Sequence, residues 1–379
     1  MAIKRRIEKV SRWELVALAA IAVGLFAVVV NSRQVAKARD FDVKFEAAKL
    51  TSEGFKAVRD FRAQTGLPTD DINDPNRTGL VGTQYSLITF GRGDQSGVMT
   101  AANPNFVAVV IALLRKAGLK SGDVVAVGLN GSLPALNIEV LAACKALGLE
   151  PIVIAAVSSG MWGANDPRLT WLDIETILDR KGILAFKSRA ASLGGDGDVG
   201  RGMSPEGRVW LDSAIARNRV PPLLPQSLED AVARRMEIYR REAAGKPIRG
   251  FINVGNAVAN LGEPDKPLAT GVLDKRPAQL PSPSVVRAMA EEGAVIVNLT
   301  DVSRLAYRYR FPVAPIPLPP LAKGRLFAER KYPVGLALAF AVIIIVLLLL
   351  VIEFDLDYYC RRMLGRALPE SSAEPKVEE

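Results

Sequence analysis

Small amide, hydroxyl and glycine residues recur directly behind the most apolar segments of this 379-residue chain. Asp123 to Gly128 (DVVAVG) leads into Leu129, Asn130, Gly131, Ser132, Leu133 and Pro134. Glycine lets the backbone approach a bound group, Ser132 can cap a helix opening at the proline, and free amides at a helix amino terminus attract anions. A carboxylate suits that setting. A tight turn at Gly131 with Ser132 as a simple cap explains the same residues, so this motif alone leaves ligand binding open.

Ile152 to Val157 (IVIAAV) leads into Ser158, Ser159, Gly160, Met161, Trp162, Gly163, Ala164 and Asn165, an unusual composition for a plain connector. Ser158, Ser159 and Asn165 are therefore candidate ligand contacts, whereas Asp173 reads as a charge that stabilises a helix terminus. Ser192 to Gly202 (SLGGDGDVGRG) holds five glycines together with Asp196 and Asp198. It has too little side chain to pack, so it can wrap a ligand or act as a flexible linker. It lacks both EF-hand spacing and the GxxxxGK[ST] phosphate loop. Later apolar segments end at Asn253, Val254, Gly255 and Asn256, and at Asn298, Leu299, Thr300 and Asp301. Asn130, Ser132, Ser158, Asn253 and Asp301 can converge on one crevice, with Gly131, Ser159, Asn165, Asp196, Asp198 and Gly255 as further candidates.

The chain has no histidine, which removes Ser-His-Asp and Cys-His catalysis by its own residues and argues against a zinc site. No metal or cofactor is expected. Ser132 and Ser158 remain candidate nucleophiles, and each needs a Lys or Asp partner to act. Cys144 lies in an apolar helical pattern and reads as buried, while Cys360 comes after the last apolar run, so no disulfide is expected. The net charge of +9 is spread out, densest beside the apolar ends, where anionic headgroups attract Lys and Arg. With 6% aromatic residues and no basic face, nucleic-acid binding is not expected.

Strands that are apolar on both faces and separated by helical patterns imply a parallel sheet covered by helices. Ligands then bind outside the carboxyl ends of the strands, where the small polar residues lie. The expected fold class is α/β, a mostly parallel sheet with flanking helices in Rossmann-like layers, with one transmembrane helix at each end. Helices are expected over Phe106 to Ala117, Pro134 to Leu147, Gly207 to Arg217 and Ser227 to Arg241, and further strands over Ile248 to Val254 and Ala294 to Leu299. Phe41 to Phe61 carries helical spacing with an expected break near Thr51 and Ser52, and ends at Gly66. Tyr85 to Phe90 (YSLITF) reads as a short strand.

Pro333 to Ile352 is twenty residues without a charge, which matches a hydrocarbon core of roughly 30 Å at 1.5 Å per residue. Leu15 to Val30 is a shorter uncharged run behind Lys4, Arg5, Arg6, Lys9 and Arg12. No small-x-small cleavage site comes after it, so it reads as an uncleaved anchor. The basic cluster holds the amino terminus in the cytoplasm and directs the central domain outside. The expected division is a cytoplasmic start (1–12), a first span (13–32), a membrane-proximal helix and strand region (33–102), an α/β domain (103–310), a Pro-rich linker (311–332), a second span (333–352) and a cytoplasmic tail (353–379). Five prolines between Phe311 and Leu321 favour an extended spacer back to the membrane.

At GDVVAVGLNGSLPALNIEVLAACKALGL, SSGMWGANDPRLTWLDIETIL, SLGGDGDVGRG and FINVGNAVANLG the chain resembles the poly-gamma-glutamate system protein family, over most of Tyr85 to Gly262. Asn256 stands where the family has a further glycine. The resemblance implies a bacterial envelope protein whose partners are poly-gamma-glutamate or its membrane-bound synthase and export proteins, and it supplies no catalytic residues. Three readings result: a non-catalytic accessory protein that binds polymer or synthase, a gamma-glutamyl hydrolase or transferase with a serine nucleophile, and a binding module for a small carboxylated ligand.

Overall fold

The computed structural model describes residues 12–263, 267–274 and 276–353. Lys4, Arg5, Arg6 and Lys9, and Cys360 with the tail around it, lie outside the described residues. The chain forms two units, Met1–Ala36 with Glu329–Glu379, and Lys37–Ala328.

With elements numbered in chain order, the first unit holds α1 (Arg12–Asn31) and α12 (Val334–Glu353), each long and apolar enough to cross a membrane. Nearly all their apolar side chains face outward, as lipid-facing surfaces do. Short strands β1 (Gln34–Lys37) and β8 (Ala328–Lys331) pair beside them. The Arg33 guanidinium hydrogen-bonds the Tyr332 hydroxyl and lies 4.6 Å from the ring centroid.

The second unit runs α2 (Phe41–Thr65), α3 (Gln95–Ala101), α4 (Val107–Lys116), β2 (Val124–Asn130), α5 (Pro134–Leu147), β3 (Glu150–Ala156), α6 (Trp171–Arg180), β4 (Ser188–Ser192), α7 (Pro205–Arg217) and α8 (Leu228–Ala243). It continues through β5 (Ile248–Val254), α9 (Val258–Leu261), β6 (Gly271–Val272), α10 (Val285–Glu291), β7 (Val295–Leu299) and α11 (Val302–Tyr309). The sheet order is β4-β3-β2-β5-β7-β6, parallel except for β6. The chain goes from β2 outward to β3 and β4, then returns to the other side of β2 with β5. That reversal opens a crevice at the carboxyl ends of β2 and β5.

Strand alternation builds a core on each face. Val125, Val127 and Leu129 join one cluster with α2, α4 and α5, while Val124 and Ala126 join the other with α8 and α10. The strands therefore read as unbroken apolar runs. Pro134 opens α5, and Gly66 and Gly148 close α2 and α5 in the left-handed conformation, φ 64° and 68°.

Two expectations fail here. Helix α2 is continuous through Thr51 and Ser52, because Thr51 is buried and Gly54 sits close enough to α5 that a Cβ would lie 3.0 Å from Ile138. Tertiary packing overrides weak local propensity. YSLITF is a turn, not a strand: the Ser86 amide donates to Thr89 Oγ1 at 2.9 Å and the Ile88 amide to Ser86 Oγ at 3.2 Å. Hydroxyls that bond the local backbone compete with strand pairing, and a single bridge from Thr89 to Ser159 remains.

The Pro-rich return is pinned along the domain. The Asn105 amide group donates to the Pro320 carbonyl at 3.0 Å and accepts from the Ala322 amide at 2.7 Å, and the Ala314 amide donates to Thr100 Oγ1 at 2.9 Å.

Candidate functional site

The loops behind β2 and β3 fasten to each other through Gly131. Its amide donates to the Ser158 carbonyl at 3.1 Å, and its carbonyl accepts from the Ala164 amide at 2.7 Å and from Ser159 Oγ at 3.0 Å. A Cβ there would lie 2.8 Å from the Val157 carbonyl oxygen. Glycine is thus required by the chain's own backbone, and no ligand need be invoked for it.

Ser132 is not a helix cap. Leu133 occupies the cap position of α5, and Ser132 Oγ instead accepts the Gly160 amide at 2.8 Å. Pro134 sets the helix start one residue too late for Ser132 to reach the free amides. Asn130 supports the same turn, its Oδ1 accepting the Ser132 amide at 3.1 Å and its carbonyl accepting Asn137 Nδ2 at 2.7 Å.

Asn130, Ser132, Ser158, Ser159 and Gly255 come together around a crevice of about 220 Å³. Arg92 and Asp94, from the Gly-Arg-Gly-Asp turn before α3, are its ionisable lining residues, and Asn256 and Thr300 complete the polar wall. Arg92 is exposed and in no ion pair with a described residue, while Asp94 accepts the Ser303 hydroxyl at 3.0 Å. Gly93 lets the turn approach, since a Cβ there would lie 2.1 Å from the Met161 carbonyl oxygen. Glycines flanking a lone arginine were the available sequence signal for this wall, but the turn lies behind no strand.

The remaining candidates stand outside the crevice. Asn253 is buried beneath it, donating to the Gly255 carbonyl and to Asn298 Oδ1, both at 2.9 Å, and accepting from Asn260 at 2.9 Å. Asp301 caps α11 by accepting the Arg304 amide at 2.8 Å, leaving Thr300 and Val302 to line the space. Asn165 is a buried clip, holding the Thr83 amide at 3.0 Å and donating to its carbonyl at 2.6 Å. Asp173 serves the capping box of α6, as expected, and also binds Arg217.

The glycine-rich segment is neither bare nor loose. Asp198 is fully buried and pairs with the buried Arg235 at 2.9 Å, while Ser192 Oγ donates to Asp198 at 2.8 Å and accepts from Arg235 at 2.8 Å. Its glycines permit the tight path that buries this carboxylate, and Gly194 and Gly195 form part of the crevice wall. Asp196 is exposed and lines a different surface depression. Cys144 is buried, and burial pushes its thiol up to about 12.

Chemically, the crevice offers amides, hydroxyls, glycine backbone, the Arg92 guanidinium and the Asp94 carboxylate, which is engaged by Ser303, and α5 begins at its wall. This set accepts a carboxylate by hydrogen bonds and one charge-assisted contact. Among the described residues no lysine lines it; Ser132 Oγ is bonded to the Gly160 amide, and Ser158 Oγ lines the crevice with no hydrogen bond to a lysine or carboxylate among the described residues. Comparison with protein families, curated proteins and solved structures finds no match to this chain.

Proposed function

We propose that this chain is a non-catalytic, membrane-anchored component of bacterial poly-gamma-glutamate synthesis, export or retention, and that it holds a carboxylate-bearing segment of the polymer in the crevice between β2 and β5. The observation that carries this reading is the make-up of the crevice: hydrogen-bond donors and Arg92, with no lysine in its lining among the described residues and with its one carboxylate, Asp94, hydrogen-bonded to Ser303 and to neither candidate serine. A serine nucleophile needs a base within hydrogen-bond reach. Poly-gamma-glutamate presents one free carboxylate per residue, and the motif resemblance supports the pathway. A volume of about 220 Å³ is below the usual range for a drug-sized ligand, so one residue-sized unit of the chain is engaged at a time.

We propose that both termini are in the cytoplasm and residues 33–332 outside, a reading supported by the five basic residues ahead of the first apolar run. An impermeant thiol reagent on intact cells should label cysteines introduced at exposed positions of the domain. Protection of those positions with labelling of Cys360 reverses the orientation. Deleting the gene should lower polymer yield or change its chain length, and complementation by the native chain should restore both. Unchanged polymer in the deletion strain removes the proposed function.

A further inference from the structure

A second pocket lies at the other extreme of the domain's chain path, where α11 gives way to the Pro-rich return. It has a volume of about 200 Å³ and is lined by Tyr309, Phe311, Pro312, Pro319, Leu326 and Phe327, with Arg310, Lys323 and Arg325 at its margin. Its apolar floor is fixed. Phe327 is buried, with an edge-on contact to Phe41 at 6.4 Å between centroids, and Phe311 packs edge-on to Phe106 at 5.2 Å. The bonds from Asn105 to Pro320 and Ala322 hold the return segment, and Lys44 Nζ donates to the Leu326 carbonyl at 3.0 Å.

The rim is charged without compensation. Arg310, Lys323 and Arg325 are all exposed, and none forms an ion pair with a described residue. Surface arginines elsewhere in the domain, such as Arg217, Arg234 and Arg240, do find carboxylates. From 304 to 331 the chain carries seven basic residues and one acidic residue, Glu329.

Chain length sets where this pocket can go. Arg325 precedes Val334, the first residue of α12, by nine residues, which span at most about 30 Å of extended chain. The domain's start is adjacent, because the Ala38 amide donates to the Phe327 carbonyl at 3.0 Å. With both apolar helices in the bilayer, the tether keeps Arg325 within about 30 Å of the residue at which α12 begins, which leaves the lipid surface within the pocket's reach.

We propose that this pocket binds the headgroup of an anionic phospholipid, with Arg310, Lys323 and Arg325 on the phosphate and Phe311, Leu326 and Phe327 beneath the glycerol end. Guanidinium and ammonium donors match phosphate oxygens, and the apolar floor matches the methylenes beyond them. An apolar floor under the cations distinguishes such a ligand from a free inorganic anion. The inference rests on the membrane reading of α1 and α12.

The test uses the full-length protein in nanodiscs of phosphatidylcholine with increasing phosphatidylglycerol, then release into detergent and native mass spectrometry to count retained lipids. The native chain should keep one phosphatidylglycerol in preference to phosphatidylcholine. The triple variant Arg310→Gln, Lys323→Gln, Arg325→Gln should lose that preference, by roughly 100-fold if each cation contributes as basic residues near anionic membranes do. All three side chains are exposed, so an unchanged melting temperature is expected for the variant. Equal retention by both proteins overturns the proposal, as does displacement of the lipid by millimolar inorganic phosphate, which would assign the site to a free anion. Alkaline extraction of membranes keeps the premise separate: release of the chain removes the membrane reading, whereas retention without a lipid difference removes only this pocket.

Discussion

Gly255 stands so close to Asn130 that a Cβ on it would lie 2.3 Å from Asn130 Oδ1, and it holds φ at 76°. The end of β5 and the end of β2 therefore meet across the crevice with no space for any side chain at 255.

Gly255→Ala combines a left-handed backbone with this overlap, and should cost about 1–3 kcal/mol of stability while moving Asn130 out of the wall. Gly131→Ala should destabilise similarly, because its Cβ would meet the Val157 carbonyl and not a ligand. Thermal unfolding of the two variants checks both. A Gly255→Ala protein with native melting temperature and native polymer binding removes the close contact from the account.

The buried Asp198–Arg235 pair fixes the glycine-rich segment. Asp198→Asn leaves a fully buried guanidinium without its countercharge and should cost about 3–5 kcal/mol. Limited proteolysis should then cut between 193 and 203 at a rate the native chain does not show. Adding Arg235→Met to Asp198→Asn should recover part of the loss, and a double variant no better than the single one would mean the pair is not the anchor.

Glu175 makes the domain's stability depend on pH. It is buried on α6 and accepts hydrogen bonds from Trp171 Nε1 at 2.7 Å and from the Ser188 amide and hydroxyl at 3.1 and 2.7 Å. Burial nevertheless pushes its carboxyl up to about 7, from an ordinary value of 4.5. The folded state thus holds this proton more tightly than the unfolded chain, so the contribution is complete below about pH 4.5 and is lost as pH rises through 7. The loss is at most roughly 3 kcal/mol. Glu139, whose carboxyl burial also raises well above its ordinary range, acts in the same direction. The melting temperature should fall from pH 5 to pH 8, and Glu175→Gln should flatten that slope. A slope unchanged in Glu175→Gln assigns it to other groups.

Much of the α/β layer was legible because β2, β3, β5 and β7 are apolar on both faces and α5 carries Pro134 and Gly148 at its ends. Strand β4 was not, since Ser-Arg-Ala-Ala-Ser has neither β-branched residues nor alternation and is held by its neighbours β3 and the 221–223 segment. In the crevice, the residues directly behind β2 and β3 were readable, as strand ends aim their loops at one place. Asn253 and Asp301 failed for opposite reasons. Asn253 still belongs to its strand and points into a buried amide network, while Asp301 has turned away to cap α11. Arg92 was missed because its flanking glycines lie behind no strand, and the turn that carries it reaches the site through packing against Met161 and Ser159.

The most direct test of the central claim is equilibrium binding of gamma-linked glutamate oligomers to the purified full-length protein, compared with Arg92→Gln and Ser132→Ala. Arg92→Gln should weaken binding about 10-fold, consistent with one charge-assisted contact, and reduce its salt dependence. Ser132→Ala should weaken it less, because its oxygen serves the Gly160 amide. Oligomer that is bound without cleavage, with this order of effects, is the expected result. No binding by the native chain, affinity unchanged by Arg92→Gln, or hydrolysis of the oligomer abolished by Ser132→Ala would each contradict a non-catalytic carboxylate site in this crevice.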